Sequence, residues 1–352
     1  MTGATRVGSL TDDKKDFVEP FTEPTTAGSL TTLGPGHETP PDHTTLVPLA
    51  AHVELFSGQG IADSTRLAYD LNWRTFTAWC TEHAVASLPA SAETVSFYVT
   101  DLALQGRKFS TLTQHLAAIS FEHQQAGLAT PSRSPAVRHV MTGIRRTIKV
   151  APHQVDALYT EDIRRMVATL PDTLIGLRDR ALLLLGFAGA FRRSELVALN
   201  VDDLQFRMEG LCVRLRRSKT DQDGQGRLIG IPYGQHEETC PVRAMRAWLD
   251  TAQITDGAVF RGMCRHNRIA SERLSKRAVA DVIKRTAKVA GMDPAHVSGH
   301  SLRAGHCTTA ARAGVSEHVI MQQTGHRSLA TLHRYIRQGS LFLENSAASL
   351  GL

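Results

Sequence analysis

The sequence predicts a mainly α protein of two domains, an N-terminal four-helix domain followed by a mostly helical domain with a small antiparallel β-sheet. Three observations carry this. At 352 residues the chain exceeds the roughly 150 expected of one domain, and 42% hydrophobic residues are enough to fill two cores. Apolar residues recur at helical spacing from residue 64 onward. The exception is "LCVRLRR" at 211–217 and "RLIGIPY" at 227–233, where alternation over the turn-rich "SKTDQDGQG" predicts a hairpin, with "DLQF" as a third strand.

Residues 1–55 are rich in Thr, Pro and Gly ("FTEPTTAGSLTTLGPGHETPPDHTT") and are expected to form a disordered tail, because they bury too little to offset the entropy of ordering. Residues 56–150 hold the first domain. Its first helix carries Tyr69, Trp73, Phe76 and Cys80 at steps of 4, 3 and 4, with Ser64 placed to cap it. The second starts near Ser91 with Val95, Tyr98, Val99 and Leu102 on one face. The third follows "GRKFS" with Ser110 as cap and Leu112, Leu116 and Ile119 inward; it stops at Gly127. The fourth opens at Pro135, a favoured first helical position, and turns Val137, Val140, Met141, Ile144 and Ile148 inward.

After a linker ("KVAPHQVDALYT"), residues 151–352 form the second domain. Thr160 is read as the cap of a helix to about 169, and an apolar helix begins near 174. Beyond the hairpin, helices are expected at 241–252, at 276–290 with Ser275 as cap, from about 300, and from Ser316. The longest apolar run, "ALLLLGFAGAF", is far shorter than the roughly 20 residues of a membrane span, so it is a buried helix and no membrane partner is expected.

Five scattered cysteines and an N-terminus without an apolar signal core point to free thiols in a reducing cytoplasm. Forty Lys and Arg against 34 Asp and Glu give +6, a mild excess that admits a polyanionic partner without demanding one. His236 and Cys240 in "HEETC" have no metal-site spacing and read as surface residues.

The chemistry lies in scattered pieces of the second domain. "AFRRSEL" supplies Arg192 at a turn between helices, "RSKT" puts Lys219 at the hairpin tip, and "GHSLR" sets His300 and Arg303 one helical turn apart. "TGHRSLATLHRYIR" then brings His326 and Tyr335. Each type suits attack of a tyrosine on a phosphodiester. A phenol with pKa near 10 needs help losing its proton. Two arginines can grip the non-bridging oxygens as charge builds in the transition state. A loop lysine can protonate the leaving sugar oxygen, and a histidine can take the phenolic proton.

This pattern resembles the tyrosine recombinase (phage integrase) family, and Cre-type site-specific recombinases in particular. The resemblance spans residues of about 60 to 340, since "STLTQHLAAISFEHQQAGL" and "SPAVRHVMTGIRR" also look like that family's core-binding domain. It implies catalytic roles for Arg192, Lys219, His300, Arg303, His326 and Tyr335, with Glu195 supporting Arg192. Two departures are Phe191 in place of the usual leucine, and Arg193 beside Arg192.

The resemblance further implies a double-stranded DNA target, a homotetramer joining two sites, a 3′-phosphotyrosine intermediate, strand exchange through a Holliday junction, and no cofactor. It gives meaning to basic helix faces that alone read as solvated. Arg107 and Lys108 would lie on phosphates, Gln114 or His115 near base edges, with Arg145, Arg146, Lys276, Arg277 and Lys284 as further DNA contacts. Two other readings use the same residues. A type IB topoisomerase would share the reactive group but act as a monomer without partner exchange, which the four-helix half argues against. A noncatalytic DNA-binding relative would have lost one of the six positions, and all are occupied.

Overall fold

The structure is a computed structural model that describes residues 60–148, 156–216, 226–264, 268–339 and Leu350, with side chains to Tyr335. The expected tail, the linker stretch 149–155 and Lys219 lie outside the described residues. The chain divides into two compact units, Met1–Lys149 and Val150–Leu352.

The first unit contains α1 (Asp63–Glu82), α2 (Ala92–Leu104), α3 (Phe109–Gln125) and α4 (Pro135–Ile148). Helix α1 packs on α3 and α2 on α4. The predicted inward faces supply the core: Phe76, Cys80, Val95, Tyr98, Val99, Leu102, Leu112, Ile119, Val137 and Met141 are all buried. Polar groups in this core are paired, as desolvation demands. Tyr98 Oη and His115 Nδ1 lie 2.8 Å apart, and buried His123 accepts the Ala90 N–H through Nε2 at 2.9 Å while its Nδ1 faces the Ile119 carbonyl at 2.8 Å.

Helix α2 starts next to Ser91 as expected, and Ser91 caps it, its hydroxyl accepting the Thr94 N–H at 2.9 Å. Ser64 and Ser110 do not cap: the N-cap positions are Ala62 and Lys108, so both serines sit inside the first turn. Each helix starts earlier than its hydroxyl because the first intrahelical carbonyl acceptor is that of Ala62 or Lys108.

The second unit opens with α5 (Thr160–Ala168), α6 (Leu174–Ala188) and α7 (Arg193–Ala198). Thr160 is the first helical residue of α5 and not its cap; Tyr159 precedes it, and the Tyr159 N–H donates to Asp162 Oδ2 at 2.8 Å. Strands β1 (Leu204–Phe206), β2 (Gly210–Leu215) and β3 (Arg227–Pro232) form an antiparallel sheet in that order. Leu211 pairs with Ile231 and Val213 with Ile229, so one face of the hairpin turns inward throughout.

Helix α8 (Pro241–Ala252) leads to β4 (Arg261–Cys264) and β5 (Arg268–Arg273), a second antiparallel hairpin where one was expected in the whole domain. Its strands "RGMC" and "RIASER" are short and have no buried residue, so they carry no period for sequence reading to detect. The unit ends with α9 (Lys276–Val289), α10 (Ser301–Arg312), α11 (Glu317–Thr324) and α12 (Leu329–Gly339).

The apolar helix α6 is central, with Leu182, Leu183 and Leu185 fully buried, and packs against both α8 and α10. Helix α10 in turn contacts α11 and α12. Among the described residues no helix is long and apolar enough to cross a membrane.

Candidate active site

The site begins where α6 ends. The chain reverses through Gly189 and Ala190, and Ala190 has φ of 50°, a left-handed conformation that costs a residue with a Cβ about 1–2 kcal/mol. This turn aims the Ala190 carbonyl at Arg303, whose Nη1 donates to it at 2.7 Å. It also delivers Arg192 to the N-cap of α7. Glu195, one turn on and 2% exposed, fixes Arg192 twice: its carboxylate accepts the backbone N–H at 2.8 Å and Nη1 at 2.6 Å. The neighbouring Arg193 is exposed and runs over Gly299, where an added Cβ would fall 2.0 Å from Arg193 Cδ. Fully buried Phe191 fills the place of the family's leucine.

Arg303, on the first turn of α10, is 1% exposed, and Nη2 donates to the Thr324 carbonyl at 2.6 Å. Burial, and then the charge of Arg192, pull this guanidinium down to about 10. It stays fully charged near neutral pH, a dehydrated cation at the centre of the site. Its Nη2 also faces His326 Nε2 at 3.4 Å, and His326 Nδ1 lies 2.7 Å from Thr324 Oγ1. Thr324 Oγ1 donates to the Ile320 carbonyl at 2.7 Å, so it accepts from Nδ1–H and leaves Nε2 as the free acceptor. Burial and the positive charges of Arg303 and Arg192 hold His326 down to about 3, so the ring is neutral.

Tyr335 arrives on α12, which lays Leu332 and Tyr335 against Ala304, Cys307 and Ile320. Thr308 Oγ1 donates to the Tyr335 carbonyl at 3.3 Å, and the phenol is 8% exposed. Tyr335 Oη is hydrogen-bonded to His300 Nε2, with the rings tilted and 5.6 Å apart. The His326 ring lies 5.8 Å away from that of Tyr335 on centroids.

The titration directions fit this contact. Burial, followed by Arg303, Arg192 and Arg193, pushes His300 below its ordinary value. Burial, with Cys307, pushes Tyr335 above its own, while Arg303, Arg334 and Arg192 partly offset this. A neutral imidazole therefore faces a protonated phenol, the arrangement of a general base before proton transfer.

Five of the six expected reactive residues, Arg192, His300, Arg303, His326 and Tyr335, thus share one neighbourhood with Glu195 beneath Arg192; Lys219 is outside the described residues. Sequence reasoning missed the carbonyls of Ala190 and Thr324 and the hydroxyl of Thr324, which anchor Arg303 and His326. No side-chain type marks a carbonyl acceptor, so no sequence signal was there to find.

Of the expected DNA contacts, Arg107, Lys108, Gln114, Arg145, Arg146, Lys276, Arg277 and Lys284 are exposed. His115 is not. It is 6% exposed and hydrogen-bonded to Tyr98 inside the first core, which removes it as a reader of base edges. Leu112 and Ile119 flank it at three and four residues, so helical spacing already places it on their inward face.

Comparison with known proteins gives consistent results. The Phage integrase family matches residues 156–340, more than half of the chain. An integrase/recombinase xerD homolog of Selenomonas ruminantium is 42% identical over 290 residues, covering 81% of this chain and 84% of the relative. Recombinase cre of Escherichia phage P1 is 27% identical over 284 residues, covering 75% and 81%. Among solved structures, the Tn1549 transposon integrase in complex with DNA shares the fold at a TM-score of 0.59 and 13% identity, covering 85% of this chain and 98% of its own. With a buried tyrosine hydrogen-bonded to a histidine and set among arginines, and relatives of this kind, the chain belongs to the phage integrase family of tyrosine recombinases, enzymes that cleave and rejoin DNA.

Proposed function

We propose that Tyr335 is the nucleophile of this recombinase and that His300 removes its proton. The observation that carries the assignment is the hydrogen bond from the phenol to His300 Nε2, within electrostatic reach of Arg192 and Arg303. In the reaction, Tyr335 Oη attacks a backbone phosphorus and the bond to the 5′ oxygen breaks, leaving a 3′-phosphotyrosine and a free 5′ hydroxyl. The phenolic proton passes to His300, and Lys219 gives a proton to the departing oxygen. Arg192 and Arg303 stabilise the charge on the non-bridging oxygens, and neutral His326, its Nε2 facing Arg303 Nη2, holds that guanidinium in place. Bond energy is kept in the phosphotyrosine, so a 5′ hydroxyl from the partner duplex reverses the step and completes strand exchange.

Glu195 supports this reading because it bonds Arg192 and not Arg193, fixing which of the adjacent arginines is held in place. The exposed basic residues Arg107, Lys108, Arg145, Arg146, Lys276, Arg277 and Lys284, with Gln114, would hold double-stranded DNA. Four copies of the chain would pair two sites, and the reaction would take place in the cytoplasm. Neither topoisomerase-like relaxation nor noncatalytic binding is favoured, because the relatives are recombinases and the described reactive positions are all occupied.

The test is a denaturing gel for a covalent protein–DNA adduct, formed with labelled duplex from the flanks of its own gene, in EDTA and without ATP. Wild type should give an adduct, and Tyr335→Phe should bind the same DNA and give none. An adduct from Tyr335→Phe would overturn the assignment of the nucleophile, and loss of the wild-type adduct in EDTA would point to a metal-dependent cut. Sedimentation of the DNA complex should show four protein chains on two sites; two chains at every concentration would overturn the tetramer.

A further inference from the structure

Arg227, the first residue of β3, reaches the end of α11, which lies 95 residues further along the chain. Its Nη1 donates to the Gln323 carbonyl at 2.9 Å and to the Gln322 carbonyl at 3.3 Å. The next carbonyl, that of Thr324, is taken by Arg303. Three successive carbonyls at a helix C-terminus are thereby held by two guanidiniums, the charge a helix dipole favours at that end.

The chain then turns at Gly325, with φ of 69°, into His326. An added Cβ on Gly325 would lie 2.7 Å from Arg227 Nη1, so the guanidinium packs directly on the turn. Gln323 ties the same point back from the other side, its Nε2 donating to the carbonyls of Ala188 and Gly230 at 3.3 Å each. Arg227 Nη2 is buried and has no hydrogen-bond partner among the described residues.

We infer that Arg227 is a positioning residue for the reaction: by clamping the last carbonyls of α11 and the Gly325 turn to β3, it fixes where His326 stands beside Arg303. This rests on His326 belonging to the reaction centre. The energetic logic is geometric. Without the clamp the turn at Gly325 loses its tie to β3 through Arg227 and keeps the bond of its N–H to the Met321 carbonyl, the Gln323 ties and the Thr324 contacts, and a ring displaced by about 1 Å is enough to cost on the order of 100-fold in rate.

The experiment is a double-mutant cycle in the full-length protein, read as the single-turnover rate of adduct formation on a nicked duplex carrying its target site, with DNA affinity and thermal midpoint measured alongside. Arg227→Ala should slow adduct formation by about 10- to 100-fold, with affinity unchanged. In a His326→Ala background it should slow it no further. Arg227→Lys, which keeps the charge and reaches one carbonyl, should fall between, and it replaces Arg227→Ala in the cycle if that variant does not fold. Losses that multiply in the double variant, or a full rate for Arg227→Ala, would overturn the inference. A full rate for His326→Ala would instead overturn the role of His326, which separates the two failures.

Discussion

His306 lies one turn beyond Arg303 on α10 and shows how burial in this unit is tied to pH. Its Nδ1 meets the Phe187 carbonyl at 3.0 Å, and burial pulls its pKa down to about 4 from the usual 6.5. Between those values the unfolded chain binds a proton that the folded one refuses, so folding stability falls as pH drops from about 6.5 to about 4 and levels off below. The slope from this one group approaches about 1.4 kcal/mol per pH unit. His306→Gln keeps a donor for Phe187 but cannot titrate, so its thermal midpoint should vary less across that window than that of the wild type. Equal slopes would mean that His306 binds its proton in the fold as readily as in the unfolded chain. His326, held down to about 3 by burial, acts in the same direction and remains in the variant, so the flattening should be partial.

At the scale of elements, α6 holds the active-site turn in place and contains a charge cluster that no pattern announced. Asp179 is 1% exposed and accepts from Arg178 Nε and Nη2 at 2.9 and 2.8 Å, and Arg285 of α9 also bonds it. Burial pushes the Asp179 carboxyl up and the two guanidiniums offset this only in part, so the cluster need not stabilise the fold on balance. Removing one member is another matter. Asp179→Ala leaves Arg178 charged, 4% exposed and without its carboxylate, and should cost about 3–5 kcal/mol, read as a lower denaturant midpoint with an unchanged slope. A loss under about 1 kcal/mol would show that water reaches Arg178.

Legibility followed the same division. The cores of α1 to α4 and the β2–β3 pairing follow from apolar periods, and Ser91, Pro135 and Ser275 mark helix starts because their own chemistry acts locally. The β4–β5 hairpin and the carbonyls around Arg303 were hidden, since they depend on partners 113 and 21 residues away or on strands without alternation. His115 is polar by type, but its spacing from Leu112 and Ile119 places it on their buried face.

For the molecule as a whole, a net charge of +6 over 352 residues is too small for a uniform field to hold DNA, so binding should rest on local patches. Each phosphate contact releases counterions, and log K should fall with log salt by about 0.9 per contact. Arg107 and Arg146 are both exposed, the first in the turn before α3 and the second in the last turn of α4. If both touch phosphates, Arg107→Ala and Arg146→Ala should each make the salt slope shallower by about 1. His115→Ala should behave in the opposite way: it deprives Tyr98 of a buried partner and lowers the thermal midpoint, but leaves the slope alone. Isotherms for the three variants between 50 and 200 mM salt, the range in which such contacts are felt most strongly, separate the two kinds of residue. An unchanged slope for both arginines would move the DNA-binding face of the first unit away from the α3 and α4 ends. A shallower slope for His115→Ala would mean that the first core opens to let its histidine reach the DNA.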